Sequence, residues 1–175
     1  MNFGERLQLI HETKHISQRQ LALQIGMAPE NVQRYKSTGS TPKTERITDF
    51  SVALNISSFL LEESNWGYVP LETKGDLIAL IIEGIKRGLI AVEDSDKDDL
   101  HLEINTVISQ FFKRSAAPVI TDPQIVEAVK VWNDEWTIDY LAHKDVNTEE
   151  VQQYQLDDLT RKQISFAIMY DEPIK

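Results

Sequence analysis

His11-Glu12-Thr13-Lys14-His15 has the H-E-x-x-H spacing by which two imidazoles on one helical face hold zinc while a glutamate acts as base. That chemistry needs both histidines on one continuous helix, with a third ligand and a water position. The first helix is expected to end near His15, just before a turn into Ser17, so two surface histidines are the better reading. Asp94-Ser95-Asp96-Lys97-Asp98 resembles the start of a calcium loop, but Asp99 stands where that loop needs glycine and Asn105 where it needs glutamate. A solvated hairpin turn is expected there. No Ala-Gly dipeptide of the self-cleaving type, no Ser/His/Asp spacing and no Gly-rich phosphate loop occurs, and His101 and His143 stand alone. Trp132 and Trp136 recur at one-turn spacing, which reads as a core stripe rather than a ligand cage. The expectation is therefore no enzyme: no catalytic residue, no metal and no cofactor.

A different chemistry is written in residues 16–61. Ser17 is a helix N-cap, and Leu21, Ala22 and Ile25 then share one helical face before Gly26 ends the helix and turns the chain. A second short helix, about Pro29 to Lys36, follows at once. It sends Val32 and Tyr35 inward and Glu30, Asn31, Gln33 and Arg34 outward. Two short helices joined by a Gly-containing turn form a helix-turn-helix, whose outward row is suited to meeting base edges.

Three more helices complete an all-α five-helix domain. One over about residues 2–14 buries Phe3, Leu7 and Ile10, and one from about Thr44 carries Ile47, Phe50 and Leu54 until Asn55 stops it. A fifth, capped by Ser57 or Ser58, holds Leu60 and Leu61. Before the helix from Thr44, Ser37-Thr38-Gly39-Ser40-Thr41-Pro42 is a turn-rich loop.

The remainder reads as a small α+β domain. Residues 1–64 are the first domain, 65–75 a short, partly docked linker around Asn65-Trp66-Gly67-Tyr68-Val69-Pro70, and 76–175 the second domain. Asp76 to Arg87 is a helix apolar over most of its circumference, stopped by Gly88. Leu89 to Glu93 and the alternating Leu100 to Asn105 read as strands, with Val119-Ile120 as a third. Asp122-Pro123 starts a helix that places Ile125, Val129, Trp132, Trp136 and Tyr140 on one face. Asn147 to Glu150 is a capping-box-like start for another. Ile164, Phe166, Ile168 and Tyr170 alternate, which argues for a strand, with a short helix as the alternative.

Charge divides the 175 residues unevenly. Residues 1–66 hold seven Lys/Arg and seven Asp/Glu, whereas residues 67–175 hold eleven against twenty-one and carry the whole net charge of -10. Within residues 19–46, Arg19, Arg34, Lys36, Lys43 and Arg46 face Glu30 and Glu45, a net +3. Phosphate contacts dominate affinity for nucleic acid, so one copy with so few cations should bind weakly and a homodimer is expected. The acidic half repels DNA and suits a basic protein partner. There is no cysteine, the N-terminal residues lack the apolar run of a signal peptide, and the longest apolar stretch, Leu77 to Ile82, is too short to span a bilayer. A cytoplasmic protein without a membrane partner is expected.

Over about Phe3 to Leu61, a third of the chain, the sequence resembles the lambda-repressor/Cro-like (XRE-type) helix-turn-helix family. The features that carry the likeness are Glu5-Arg6-Leu7, Ser17-Gln18, Leu21-Ala22, Gly26, Val32, Pro42 and Ala53-Leu54-Asn55-Ile56-Ser57. The resemblance implies that Gln18 bonds a phosphate and braces the recognition helix. It implies base-edge reading by Ala28, Pro29, Glu30 and Gln33, with Asn31, Arg34, Lys36 and Lys43 near the backbone. Gln33 suits adenine, Glu30 can accept from cytosine N4, Arg34 can reach guanine or phosphate, and Pro29 offers an apolar contact to a thymine methyl. Two departures stand out. Ala28 replaces the usual Ser or Thr N-cap, forfeiting about 1 kcal/mol of capping, and Gly39 comes one position later than the family's loop glycine.

The expectation from sequence is a sequence-specific transcriptional regulator, a dimeric repressor on an inverted-repeat duplex operator. Its first rival is an antitoxin with the same DNA-binding head, whose acidic domain neutralises a basic toxin. Its second is an interaction module that has lost DNA binding.

Overall fold

The computed structural model describes residues 1–93, 98–104, 119–137 and 149–174. Seven α-helices and one three-stranded antiparallel sheet are found among them. The chain divides into two compact units, Met1–Asp76 with Ala167–Lys175, and Leu77–Phe166. This division differs from the sequence expectation: the 65–75 stretch belongs to the first unit, and so do the C-terminal residues.

The first unit opens with α1 (Phe3–Thr13), α2 (Gln18–Gln24), α3 (Pro29–Thr38) and α4 (Thr44–Leu54). Each start has a local cause. Asn2 and Glu5 close a capping box on α1, and Ser17 and Gln20 close another on α2, each satisfying backbone N–H groups that have no helical partner. Pro29 occupies the first turn of α3, and Ala28 before it makes no side-chain cap. Ends are set by left-handed residues: Gly26 and Gly39 both have φ +64, and Asn55, at φ 46, closes α4. The fifth expected helix is instead a single 3₁₀ turn, Ser58–Leu60. It stays short because the next residues turn back: Ser58 N and Oγ both donate to the Tyr68 carbonyl at 2.8 Å, and Tyr68 N donates to Ser58 Oγ at 2.7 Å.

Phe3, Tyr35 and Phe50 meet edge-to-face, with centroids 5.7 to 6.0 Å apart, and so join α1, α3 and α4. Leu7, Ile10, Leu21, Val32 and Leu54 fill the core around them. Arg6 is buried there, donating to the Met1 and Leu60 carbonyls and pairing with Glu63 at 2.7 Å. Residues 72–75, which lead into the next helix, pair with the C-terminal tail. Lys74 N and Gly75 N donate to the Glu172 and Tyr170 carbonyls, Ile174 N donates to Glu72 O, and Lys74 Nζ pairs with Glu172 at 3.0 Å.

Helix α5 (Lys74–Lys86) starts two residues earlier than expected, because Thr73 and Asp76 cap it reciprocally. In the second unit its Ile78, Ala79, Ile81 and Ile82 are buried, as is Glu83, which pairs with Arg87 Nε at 2.8 Å and Lys86 Nζ at 3.3 Å. Gln163 donates to the same carboxylate and to the Ala79 carbonyl. Strands β1 (Ile90–Glu93), β2 (Leu100–Ile104) and β3 (Val119–Ile120) lie in that order, in the register Ile90 to Ile104 and Leu100 to Ile120. Leu100 and Leu102 point inward, as their alternation predicts. Helix α6 (Pro123–Glu135) is capped by Asp122 and buries Trp132, whose indole donates to the Leu159 carbonyl at 3.0 Å.

Of the two readings of 164–170, strand or short helix, it is the helix that forms, as part of a much longer one. Helix α7 runs Glu149–Met169, and its buried Leu159, Thr160, Gln163 and Ile164 follow the helical rather than the alternating period. No Gly or Pro interrupts residues 149–169, so nothing local stops the helix before the tail. Residues 94–97 of the acidic turn, Tyr140, His143 and the Asn147-Thr148 cap lie outside the described residues. No helix among the described residues is long and apolar enough to cross a membrane.

Helix α1 approaches α3 so closely that a Cβ on Gly4 would fall 2.6 Å from the Tyr35 carbonyl oxygen and 2.8 Å from that of Lys36. Both obstacles are backbone, so neither can swing away. Gly4→Ala is expected to cost about 1–3 kcal/mol through forced displacement of α3. Urea unfolding of the variant should show a lower midpoint, and an unchanged midpoint would refute the close approach.

Candidate nucleic-acid interface

The α2–turn–α3 pair is held by a bond that originates in its own first residue. Gln18 Nε2 donates to the Pro29 carbonyl at 2.8 Å, tying the start of α2 to the start of α3. This is the bracing half of the role expected for Gln18, and the second hydrogen on the same nitrogen stays available as a donor. At the other end of the turn, Met27 N donates to the Ala22 carbonyl at 2.9 Å. Arg46 of α4 donates to the Ile25 carbonyl at 3.2 Å and pairs with Asp49 at 2.9 Å. Its charge is therefore spent largely on holding the turn.

With Val32 buried and Tyr35 in the aromatic cluster, helical geometry sets the outer face of α3. Glu30, Gln33 and Arg34 are exposed there together, and Ala28 is exposed at the N-cap. Pro29 and Asn31 are half-buried. The helix also continues to Thr38, two residues beyond the expected Lys36, which adds exposed Ser37 to the row, one turn on from Gln33. The Ser, Thr and Gly clustered there have the composition of a loop, but the stop is Gly39, in the left-handed conformation. A Cβ at Gly39 would come within 2.7 to 2.8 Å of the Asn2 side chain, so α1's cap and α3's end are fitted together.

The expected site residues are thus not all brought to one surface. Arg34 and Lys43 are exposed, as is Arg19 on α2, and no ion pair engages any of the three among the described residues. Lys43 stands at the N-cap of α4, next to the loop. Lys36 differs: it is half-buried, burial holds its ammonium below the usual lysine range, and Glu12 of α1 partly opposes that shift. It is therefore less exposed than Gln33 and Arg34.

His11 and His15 do not share a helix. His15 lies beyond the end of α1 at φ 54, a left-handed conformation outside the helical repeat. Among the described residues no group of three or more His, Asp or Glu side chains is placed to hold a metal ion. Both ring nitrogens of His11 are buried with no hydrogen-bond partner. Burial, followed by the nearby Lys36 charge, keeps its pKa below the ordinary histidine value, so His11 is neutral in the folded unit at neutral pH.

No known family model matches this chain, and neither does any curated protein or solved structure.

A lowered histidine pKa means that the unfolded chain binds a proton more readily than the folded one. Stability is then complete above the unfolded-state value of about 6.5 and falls as pH drops below it toward the folded-state pKa. The wild-type chain is expected to lose more stability between pH 7.5 and pH 5.5 than His11→Leu, read as the change in thermal midpoint. Parallel losses in the two proteins would remove His11 as the cause.

Proposed function

We propose that this chain is a sequence-specific DNA-binding transcriptional regulator of the helix-turn-helix kind, reading the major groove with α3 and acting as a homodimeric repressor. The observation that carries the reading is the outer face of α3. It presents a carboxylate, a carboxamide, a guanidinium and a hydroxyl (Glu30, Gln33, Arg34, Ser37) in one exposed row. The helix behind that row is braced by the Gln18–Pro29 bond and the aromatic cluster. Those side chains supply the donors and acceptors that base edges discriminate, and a rigid mounting is what makes such discrimination effective. Arg19, Arg34 and Lys43 are the cations available for phosphate, with the second hydrogen of the Gln18 amide beside them. Lys36, half-buried, is the least exposed cation of the expected phosphate set.

Three cations per copy make a weak electrostatic footprint. Two copies on an inverted repeat would double it, which is why dimerisation belongs to the proposal. The -10 charge of residues 67–175 favours placing that half away from the duplex, and it also supports a second reading, an antitoxin whose acidic half binds a basic toxin. Co-purification of a small basic protein with the chain would select the second reading.

Selection of bound duplexes from a random pool at near-physiological salt tests the DNA reading directly. An inverted repeat with half-sites about one helical turn apart is expected, and recovery of nothing above background would overturn it. On the recovered site, Gln33→Ala should cost about 1–3 kcal/mol and relax preference at one base position. Lys43→Ala should weaken all sequences alike. Equal, sequence-independent weakening by both variants would sink the assignment of Gln33 as a base reader.

A further inference from the structure

We propose that the cleft between the 41–44 turn and the 62–67 loop of the first unit is a binding site for an organic cation with a guanidinium or alkylammonium head. The cleft encloses about 370 Å³. Its lining includes the hydroxyl-bearing Thr41, Thr44 and Ser64, together with Trp66 and Glu62. Among the described residues, Glu62 is the only charged side chain in that lining.

Trp66 is the first unusual feature. Its ring leans on buried Phe59, with centroids 4.8 Å apart, yet 43% of the residue remains exposed. The loop that carries it is not free to tuck it away. Asn65, buried, accepts from Gly67 N at 2.8 Å through its amide oxygen, and its own N–H donates to the Glu62 carbonyl at 2.8 Å. Gly67 lies so close to α4 that a Cβ there would meet Thr48 Oγ1 at 2.5 Å. Beyond it, Tyr68 is clamped to Ser58 through its backbone and to Asn55 through its hydroxyl. Trp66 thus keeps its partial exposure on a fixed backbone.

Glu62 is the second feature. It is half-buried, its Oε1 accepts from the Ser64 hydroxyl at 3.3 Å, and no ion pair engages it among the described residues. A carboxylate residue and a part-exposed tryptophan lining one cleft select by charge. Anions are repelled, and a neutral apolar ligand would desolvate Glu62 without compensating it. A cation is attracted twice, by the ring quadrupole and by the carboxylate, and guanidinium or ammonium N–H groups also find acceptors in the threonine hydroxyls. Because the loop is already fixed, binding orders little of the protein.

The test is a titration of the full chain followed by the three tryptophan indole N–H signals in NMR. The probes are free L-arginine, spermidine and a short peptide bearing one arginine. A saturable shift of the Trp66 signal is expected, with a midpoint at or below about 1 mM for at least one probe, while Trp132 and Trp136 stay in place. Glu62→Gln, which removes the charge but keeps the shape, should weaken that binding at least tenfold. A response to the free compounds identifies a small-molecule ligand, and a response confined to the peptide identifies a partner's side chain. No saturable shift with any probe up to about 10 mM, or binding untouched by Glu62→Gln, overturns the proposal. No DNA is present, so this result and the DNA-binding reading stand or fall separately.

Discussion

The edge-to-face contact of Phe3, Tyr35 and Phe50 is the constraint on which the first unit depends. Helix α3 is ten residues long and mostly polar, with Val32 its one fully buried side chain. Such a helix has little apolar surface with which to hold itself in place, and a peptide of that length is marginal in water. Its orientation comes from Tyr35 meeting two rings from α1 and α4, from the absence of a side chain at Gly4, and from Gln18 holding its first turn. Once that side of α3 is committed inward, helical periodicity leaves Glu30, Gln33, Arg34 and Ser37 on the outside. The same packing that stabilises the unit therefore displays the row on which its proposed function rests.

Charge is distributed with similar economy. Of the cations in residues 19–46, Arg46 satisfies a carbonyl at the end of α2 and pairs with Asp49, and Lys36 is half-buried. Arg6, buried at the base of the unit, is likewise structural, donating to two carbonyls and to Glu63. What is left for an external partner is a small set, Arg19, Arg34 and Lys43. In the second unit the buried Glu83 is compensated by Lys86, Arg87 and Gln163, so its charge serves packing. Against this background the half-buried Glu62, with no ion pair among the described residues and lining one cleft with Trp66, is an exception, and exceptions of that kind are where ligand chemistry is sought.

Much of the first unit was legible because its signals are local. Ser17 caps α2 and Gly26 turns the chain out of it, Asn55 closes α4, and the spacing of Phe3, Leu7 and Ile10 marks α1's buried face. Strands β1 and β2 were equally plain, since alternation at Leu100 and Leu102 has no helical counterpart. The errors arose where a local signal was ambiguous. Residues 164–170 alternate, yet they continue a helix whose buried positions lie just upstream at Leu159, Thr160 and Gln163. Ser57-Ser58 looks like a helix cap, but the Ser58 side chain is taken up by Tyr68 ten residues away. The Ser37-Thr38 pair looks like loop composition, although the helix ends only where Gly39 permits a left-handed turn.

By itself, the sequence determined the helices of the first unit, the α2–turn–α3 pair, the antiparallel strands and the uneven division of charge, because capping, periodicity and composition act over a few residues. Tertiary structure decided which of those residues are free to act. Lys36 and Arg46 are cations in any reading of the chain, but only packing half-buries the one and ties the other to a carbonyl and Asp49. The C-terminal tail pairs with residues 72–75 through backbone groups, which every residue possesses and no side-chain pattern announces. Trp66 and Glu62 face one cleft because a loop folds back onto Ser58 and Thr48, a long-range closure that local chemistry does not encode.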